Sequence, residues 1–110
     1  MNSELEETFL EACMFNILPV AKECIDLGVD VNCVHGETKQ FPLMQVALIN
    51  CTEICDLLLA HPNIDVNKKR EDNHTTALMA SCVADNPDIT RRLVHARGVD
   101  LNATDDAMLA

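Results

Sequence analysis

Three short stretches constrain this chain more than anything else in it: Val29-Asp30-Val31-Asn32, Ile64-Asp65-Val66-Asn67 and Val99-Asp100-Leu101-Asn102. Their asparagines stand at 32, 67 and 102, two equal steps of 35 residues. Self-similarity at a period of about 20 to 50 residues marks a stacked-repeat protein, in which each unit buries its apolar face only against its neighbours. The chain is 110 residues long, which suits one domain and about three units, close to the lower limit for a stable stack.

The segments between the three markers read as helix pairs. Ser3-Glu4-Leu5-Glu6 has capping-box spacing, and Leu5, Phe9, Ala12 and Cys13 then fall at helical intervals. This first helix is expected to end near Asn16. A second opens around Leu18-Pro19, where proline is tolerated, and runs through Val20, Ala21, Cys24 and Ile25 to a stop at Gly28. The second unit starts at Phe41-Pro42-Leu43-Met44, continues through Val46-Ala47-Leu48-Ile49, and carries Ile54, Leu57 and Leu58 on its second helix. The third runs Thr76-Ala77-Leu78-Met79-Ala80-Ser81-Cys82, then Ile89, Leu93 and Val94, to Gly98. Asn16, Asn50 and Asp85 align across the units and are read as N-caps of the second helices. The polar stretches 33–40 and 68–74 are read as projecting, hairpin-like loops. With no Trp, no Tyr and 3% aromatic residues, the core has to be aliphatic, which favours close helix packing over a β-sandwich. The expected class is all-α.

The motifs resemble those of ankyrin repeats. The family's Thr-Pro-Leu-His start looks like Phe41-Pro42-Leu43-Met44 and Thr76-Ala77-Leu78-Met79, and its paired leucines look like Leu58-Leu59 and Leu93-Val94. Its closing Gly-Ala-Asp-Val-Asn is similar to Gly28–Asn32, Asn63–Asn67 and Gly98–Asn102. The resemblance covers about residues 5–106 and implies a solenoid of three helix-turn-helix units with projecting hairpin loops: one domain over 1–110, with repeats at about 4–40, 41–75 and 76–106 and a tail at 107–110. Departures are the missing Thr-Pro start in the first unit, methionine at 44 and 79 in place of histidine, and helix-ending turns one residue longer at His61-Pro62-Asn63 and Ala96-Arg97-Gly98. The outer side of the third unit has little to cover it. Further C-terminal repeats, or self-association through that face, are expected there.

No catalytic, cofactor-binding or metal-ligating set emerges. Cys51 and Cys55 stand four apart, yet no second Cys/His pair follows at zinc-site spacing. Cys13 and Cys82 share the slot of Ala47, where small apolar residues pack, and Cys24 and Cys55 fall on apolar helix faces; free cysteine behaves there as a small hydrophobe. Gly36-Glu37-Thr38-Lys39 lacks the glycine spacing and following helix of a phosphate loop. A net charge of −10 argues against nucleic acid as a partner, and no apolar run approaches the length needed to span a membrane. The acidic opening, Met1-Asn2-Ser3-Glu4, lacks the positive flank of a secretory signal, so free thiols and a cytoplasmic or nuclear setting are expected.

What remains is recognition. Lys68-Lys69-Arg70 forms the local positive cluster, at a loop tip, and serves either as a contact point or simply as a solvated turn. His35 and Lys39 on the first loop are further candidates for partner contact. By the resemblance, Leu48, Ile49, Val83 and Ala84, with Met44 and Met79 close by, face the concave groove that ankyrin proteins use for binding; packing between repeats is the competing role for all six. The family also implies hydroxylation of Asn67, by an asparaginyl hydroxylase that favours a leucine eight residues upstream. Leu59 meets that preference, while Asn32 has Cys24 there and Asn102 has Val94. Alternatively these asparagines bond backbone in the turn. The expectation is a non-catalytic protein–protein interaction module, an adaptor, scaffold or regulatory domain. The alternative is the N-terminal recognition region of a larger enzyme or receptor.

Overall fold

The computed structural model describes residues 3–102. Six helices follow one another: α1 (Ser3–Phe15), α2 (Leu18–Asp26), α3 (Pro42–Ile49), α4 (Thr52–Leu59), α5 (Ala77–Val83) and α6 (Pro87–Val94). The all-α expectation holds. Extended pairing among the described residues is limited to one antiparallel bridge, between Lys69 and Thr76 at the base of the second loop. The stretch 103–110, read above as the end of the third repeat and the tail, lies outside the described residues.

The helices pair α1 with α2, α3 with α4 and α5 with α6, and the pairs stack in two rows. In the inner row α1 packs on α3 and α3 on α5; in the outer row α2 packs on α4 and α4 on α6. Small side chains allow the inner row to approach closely: Ala12 and Cys13, Val46 and Ala47, Ala80 and Ser81 are all buried. Phe9, Leu43, Ile54, Leu58, Ile89 and Leu93 fill the space between the rows and are almost wholly enclosed. Each such side chain stabilises the fold by roughly 1.5–3 kcal/mol through removal from water.

The helix ends correct one sequence expectation. Asn16, Asn50 and Asp85 are not N-caps; they adopt left-handed backbone, with φ of 57°, 58° and 58°, at the ends of α1, α3 and α5. The N-cap positions fall one residue later, at Ile17, Cys51 and Asn86, and none of these caps its helix with a side chain. Their amides instead reach back to the carbonyls of Ala12, Val46 and Ser81 at 2.9, 3.1 and 2.9 Å, closing a Schellman turn in every unit. Short polar residues tolerate both left-handed backbone and the N-cap, so Asn and Asp alone do not distinguish the two. Gly28, at φ +88°, closes α2 in the same way. At the start of α1 the helix already includes Ser3, where a capping box had been expected.

The repeated Asp-X-Asn triplets work twice over. Within each unit an aspartate carboxylate accepts from the amide two residues on: Asp30 from Asn32, Asp65 from Asn67 and Asp100 from Asn102, at 2.9, 3.0 and 2.9 Å. Between units, Asn32 donates its side-chain amide to the Asn63 carbonyl (2.7 Å) and accepts from the Asp65 amide (2.9 Å). Asn67 repeats this one unit along, with the Gly98 carbonyl (2.9 Å) and the Asp100 amide (2.7 Å). The asparagines therefore bond the next unit as well as sitting in the turn. Further along each junction, the Cys51 thiol faces the Cys13 carbonyl at 3.9 Å, and the Asn86 amide donates to the Ala47 carbonyl at 2.7 Å. Arg92 adds an outer-row tie, its Nε 2.7 Å from Asp56 Oδ1.

Candidate interaction surface

The two projecting loops are built alike. In the first, the His35 amide donates to the Gln40 carbonyl (2.8 Å) and the Lys39 amide to the His35 carbonyl (3.0 Å). In the second, Arg70 donates to Thr75 and His74 to Arg70, both at 2.9 Å. Lys39 and His74 take the left-handed conformation that lets each loop turn, at φ 63° and 61°. His35 serves its own loop: its Nδ1 accepts from the amides of Glu37 and Thr38, both at 3.2 Å.

The positive cluster is largely committed to structure. Arg70 grips Asp72 with two bonds, 3.0 Å from Nε and 2.8 Å from Nη2, and its Nη2 also donates to the Thr38 carbonyl of the first loop at 3.0 Å. That hydrogen-bonded guanidinium holds the Asp72 carboxyl below its ordinary range. Lys68 lies over the Phe41 ring, 5.9 Å from its centroid, and Lys39 reaches Glu71 across the loops at 3.8 Å. Arg70 thus joins the two loops, a role its place in a basic run did not reveal. Lys69 is exposed.

The inner helices present a more continuous feature. Leu48 and Ile49 at the end of α3 are exposed, Val83 at the end of α5 is 88% exposed, and Ala84 is half-buried. Met14 and the 66% exposed Phe15 hold the same two positions at the end of α1. Each pair immediately precedes the left-handed residue of its unit, so the stack sets the three pairs in a row. Sequence reading missed Met14 and Phe15; alignment on Asn16, Asn50 and Asp85 places them beside Leu48-Ile49 and Val83-Ala84. Met44 needs correcting in the other direction. At 2% exposure it belongs to the core, enclosed between α3 and its neighbours, and is no contact residue. Its counterpart Met79 is half-buried.

Beside α1 the surface sinks into a hollow of about 420 Å³, lined by Glu7, Leu10, Glu11, Met14, Phe15 and His35. A second hollow of about 280 Å³ shares Glu7, Leu10 and His35 and extends along the first loop past Glu6 and Glu37.

The thiols show no nucleophilic setting. Five of the six cysteines are buried, and burial pushes Cys33 and Cys55 up to about 12, and Cys13 up as well, so these thiols stay protonated. Cys82 is exposed, against the expectation that it packs as Cys13 does: its slot is covered by the following unit in the first two repeats, and no described residue covers it in the third. Among the described residues no three of His, Cys, Asp and Glu are placed to hold a metal ion, and no helix is long and apolar enough to cross a membrane.

A family model for ankyrin repeats (3 copies) matches residues 9–105, nearly the whole chain. The chain belongs to the ankyrin-repeat family. Ankyrin repeats generally mediate protein–protein interaction, and the family is typically non-catalytic. No curated protein shows a significant match. Within the ankyrin framework Asn32 and Asn67 are the ties between repeats. The Asn86 amide and, more weakly, the Cys51 thiol also link successive repeats.

Proposed function

We propose that this ankyrin-repeat chain is a non-catalytic interaction module that receives a protein segment along its inner-helix row and loop tips. The carrying observation is the row of apolar pairs, Met14-Phe15, Leu48-Ile49 and Val83-Ala84, exposed at one position of every unit except for the half-buried Ala84. Exposed apolar side chains aligned on rigid helices favour a partner that removes them from water. Whether the module acts as adaptor, scaffold or regulatory domain, or as the recognition region of a larger enzyme or receptor, depends on what it is joined to. Selection of displayed peptides against the chain tests the reading. Enriched peptides are expected to lose binding to Phe15→Asp and to Ile49→Asp while the thermal midpoint holds; peptides indifferent to both changes would sink it.

One observation supports self-association as a second mode: Leu78, Met79 and Cys82, whose equivalents in the first two repeats are buried, are half-buried or exposed in the third. Sedimentation velocity over rising concentration is expected to show dimers that Met79→Lys abolishes; a monomer throughout removes this mode. Hydroxylation of Asn67 has the upstream Leu59 in its favour, but both ends of the Asn67 amide are bonded, so modification requires local opening. Intact mass of cell-derived protein without an added oxygen counts against it.

A further inference from the structure

We infer that the trough between α1 and the first loop accepts a basic amphipathic segment: apolar side chains against Met14 and Phe15, with lysines or arginines over Glu7 and Glu11. The inference rests on the docking role proposed above and adds the chemistry of the partner. Glu7, Leu10, Glu11 and Met14 fall at i, i+3, i+4 and i+7 on α1, so one helix face carries apolar and acidic side chains together. The adjoining hollow adds Glu6 and Glu37, and neither hollow has a lysine or arginine in its lining.

The acidic side chains of this trough are not answered by cations of the described residues. Among the described residues, Glu6, Glu7, Glu11 and Glu37 make no ion pair. Lys39, Lys68 and Arg70 are engaged on the loops themselves. Four carboxylates that no cation of the described residues pairs with therefore border an apolar strip in a chain of net charge −10, a field that attracts cations and speeds their encounter. An acidic or neutral apolar segment meets the same strip without that attraction.

The test uses fluorescein-labelled synthetic peptides of about 14 residues, close to 21 Å long as helices. All carry leucine at helical spacing; the remaining positions are lysine, glutamine or glutamate. Anisotropy is read at about 0.15 M salt, where exposed charges interact over roughly 8 Å. The lysine peptide is expected to bind at least tenfold more tightly than the glutamine peptide, and the glutamate peptide not at all. Glu7→Gln with Glu11→Gln should weaken the lysine peptide about tenfold, while Glu23→Gln with Asp26→Asn, an equal charge change on α2, should alter it less than twofold. Phe15→Ser and Met14→Ser, both at exposed positions, should weaken lysine and glutamine peptides alike. Equal loss from the two acidic pairs would mean unspecific attraction to the acidic chain and would overturn the inference. Equal binding of lysine and glutamine peptides, still sensitive to Phe15→Ser, would also overturn it while leaving the docking reading intact. Binding that ignores Phe15→Ser and Met14→Ser would remove both for this surface.

Discussion

The junction between the second and third repeats and the far side of the third repeat present equivalent residues to different surroundings. Leu43, Met44 and Ala47 on α3 are enclosed because α5 packs over them. Leu78, Met79 and Cys82 hold the same positions on α5, and the first two are only half-buried while the third is exposed. Sequence is nearly the same in both places; the neighbour is not. Burial in such a stack belongs to the interface rather than to the residue, which is the sense in which repeat proteins are one-dimensional. The same substitution should therefore cost different amounts in successive units.

The largest difference is expected at the leucines. Leu43→Ala removes a side chain that is 1% exposed and leaves a cavity between units, which costs about 2–5 kcal/mol. That is a large share of the ~5–15 kcal/mol available to a domain. Leu78→Ala should cost less than half as much, since water already reaches its site. Urea denaturation of both variants gives the comparison directly. Equal losses would mean that the far side of α5 is covered in solution, and would point to self-association.

Alkaline pH should act on the buried side of the same comparison. Cys33 and Cys55 are pushed by burial from an ordinary 9.0 to about 12. Below pH 9 both states hold the thiol proton and stability is unaffected. Between about pH 9 and 12 the unfolded chain releases the proton while the folded chain keeps it, so stability falls as pH rises. Linkage puts the slope near ~1.4 kcal/mol per pH unit for each such thiol. The urea midpoint should drop steadily above pH 9, and Cys55→Ala should flatten the decline. A midpoint unchanged from pH 8.5 to about 10.5 would contradict the burial of these thiols.

Smaller effects are expected at the ties. Asn32→Ala and Asn67→Ala each lose two hydrogen bonds to the next unit at water-accessible sites, about 1–2 kcal/mol in all. Their consequences should differ in place. Loss of Asn67 loosens the third repeat from the second, so hydrogen exchange should quicken in α5 and α6 while α1 stays protected. Loss of Asn32 should quicken exchange in α1 and α2. Uniform quickening in both variants would show that the repeats open as one unit.

The parts of this molecule that were legible in sequence are those in which one residue type has one physical use. A period of 35, apolar residues at helical spacing and glycine at Gly28 and Gly98 left little room for another fold. The misread positions are those where a type has two uses. Asn16, Asn50 and Asp85 suited both an N-cap and a left-handed turn; Ile17 and Cys51 show that cap chemistry is not kept at the true N-cap, while Asn86 in the third unit spends its side chain on the Ala47 carbonyl instead. Met44 and Met79 look interchangeable in sequence and differ only in what lies beyond them. Arg70 in a basic run suggested an outward charge, yet a long planar cation beside Asp72 and below the first loop does more as a clamp. Met14 and Phe15 were legible from the alignment of Asn16 with Asn50 and Asp85, but as the last apolar residues of a helix they also suit packing, and only their exposure separates the two roles.

The smallest stability effect should come from Cys82, which shares its slot with Cys13, and there the contrast between enclosed and open positions can be read as a rate. Cys13 is fully enclosed and Cys82 is exposed. Cys82→Ser should change stability by less than about 0.5 kcal/mol, as surface substitutions usually do. Cys13→Ser puts a hydroxyl into an apolar site and should cost about 1–3 kcal/mol. Thiol titration with an aromatic disulfide reagent at neutral pH should find one group reacting fast and five reacting only as the chain opens. Removing Cys82 should abolish the fast phase and leave the slow one unchanged, because the slow rate reports opening between repeats, in which Cys82 has no part. Raising the protein concentration sharpens the result. If the third repeat pairs with a second copy, Cys82 lies at the contact and its fast phase should slow as dimers form; if that face stays in water, the rate will not depend on concentration at all.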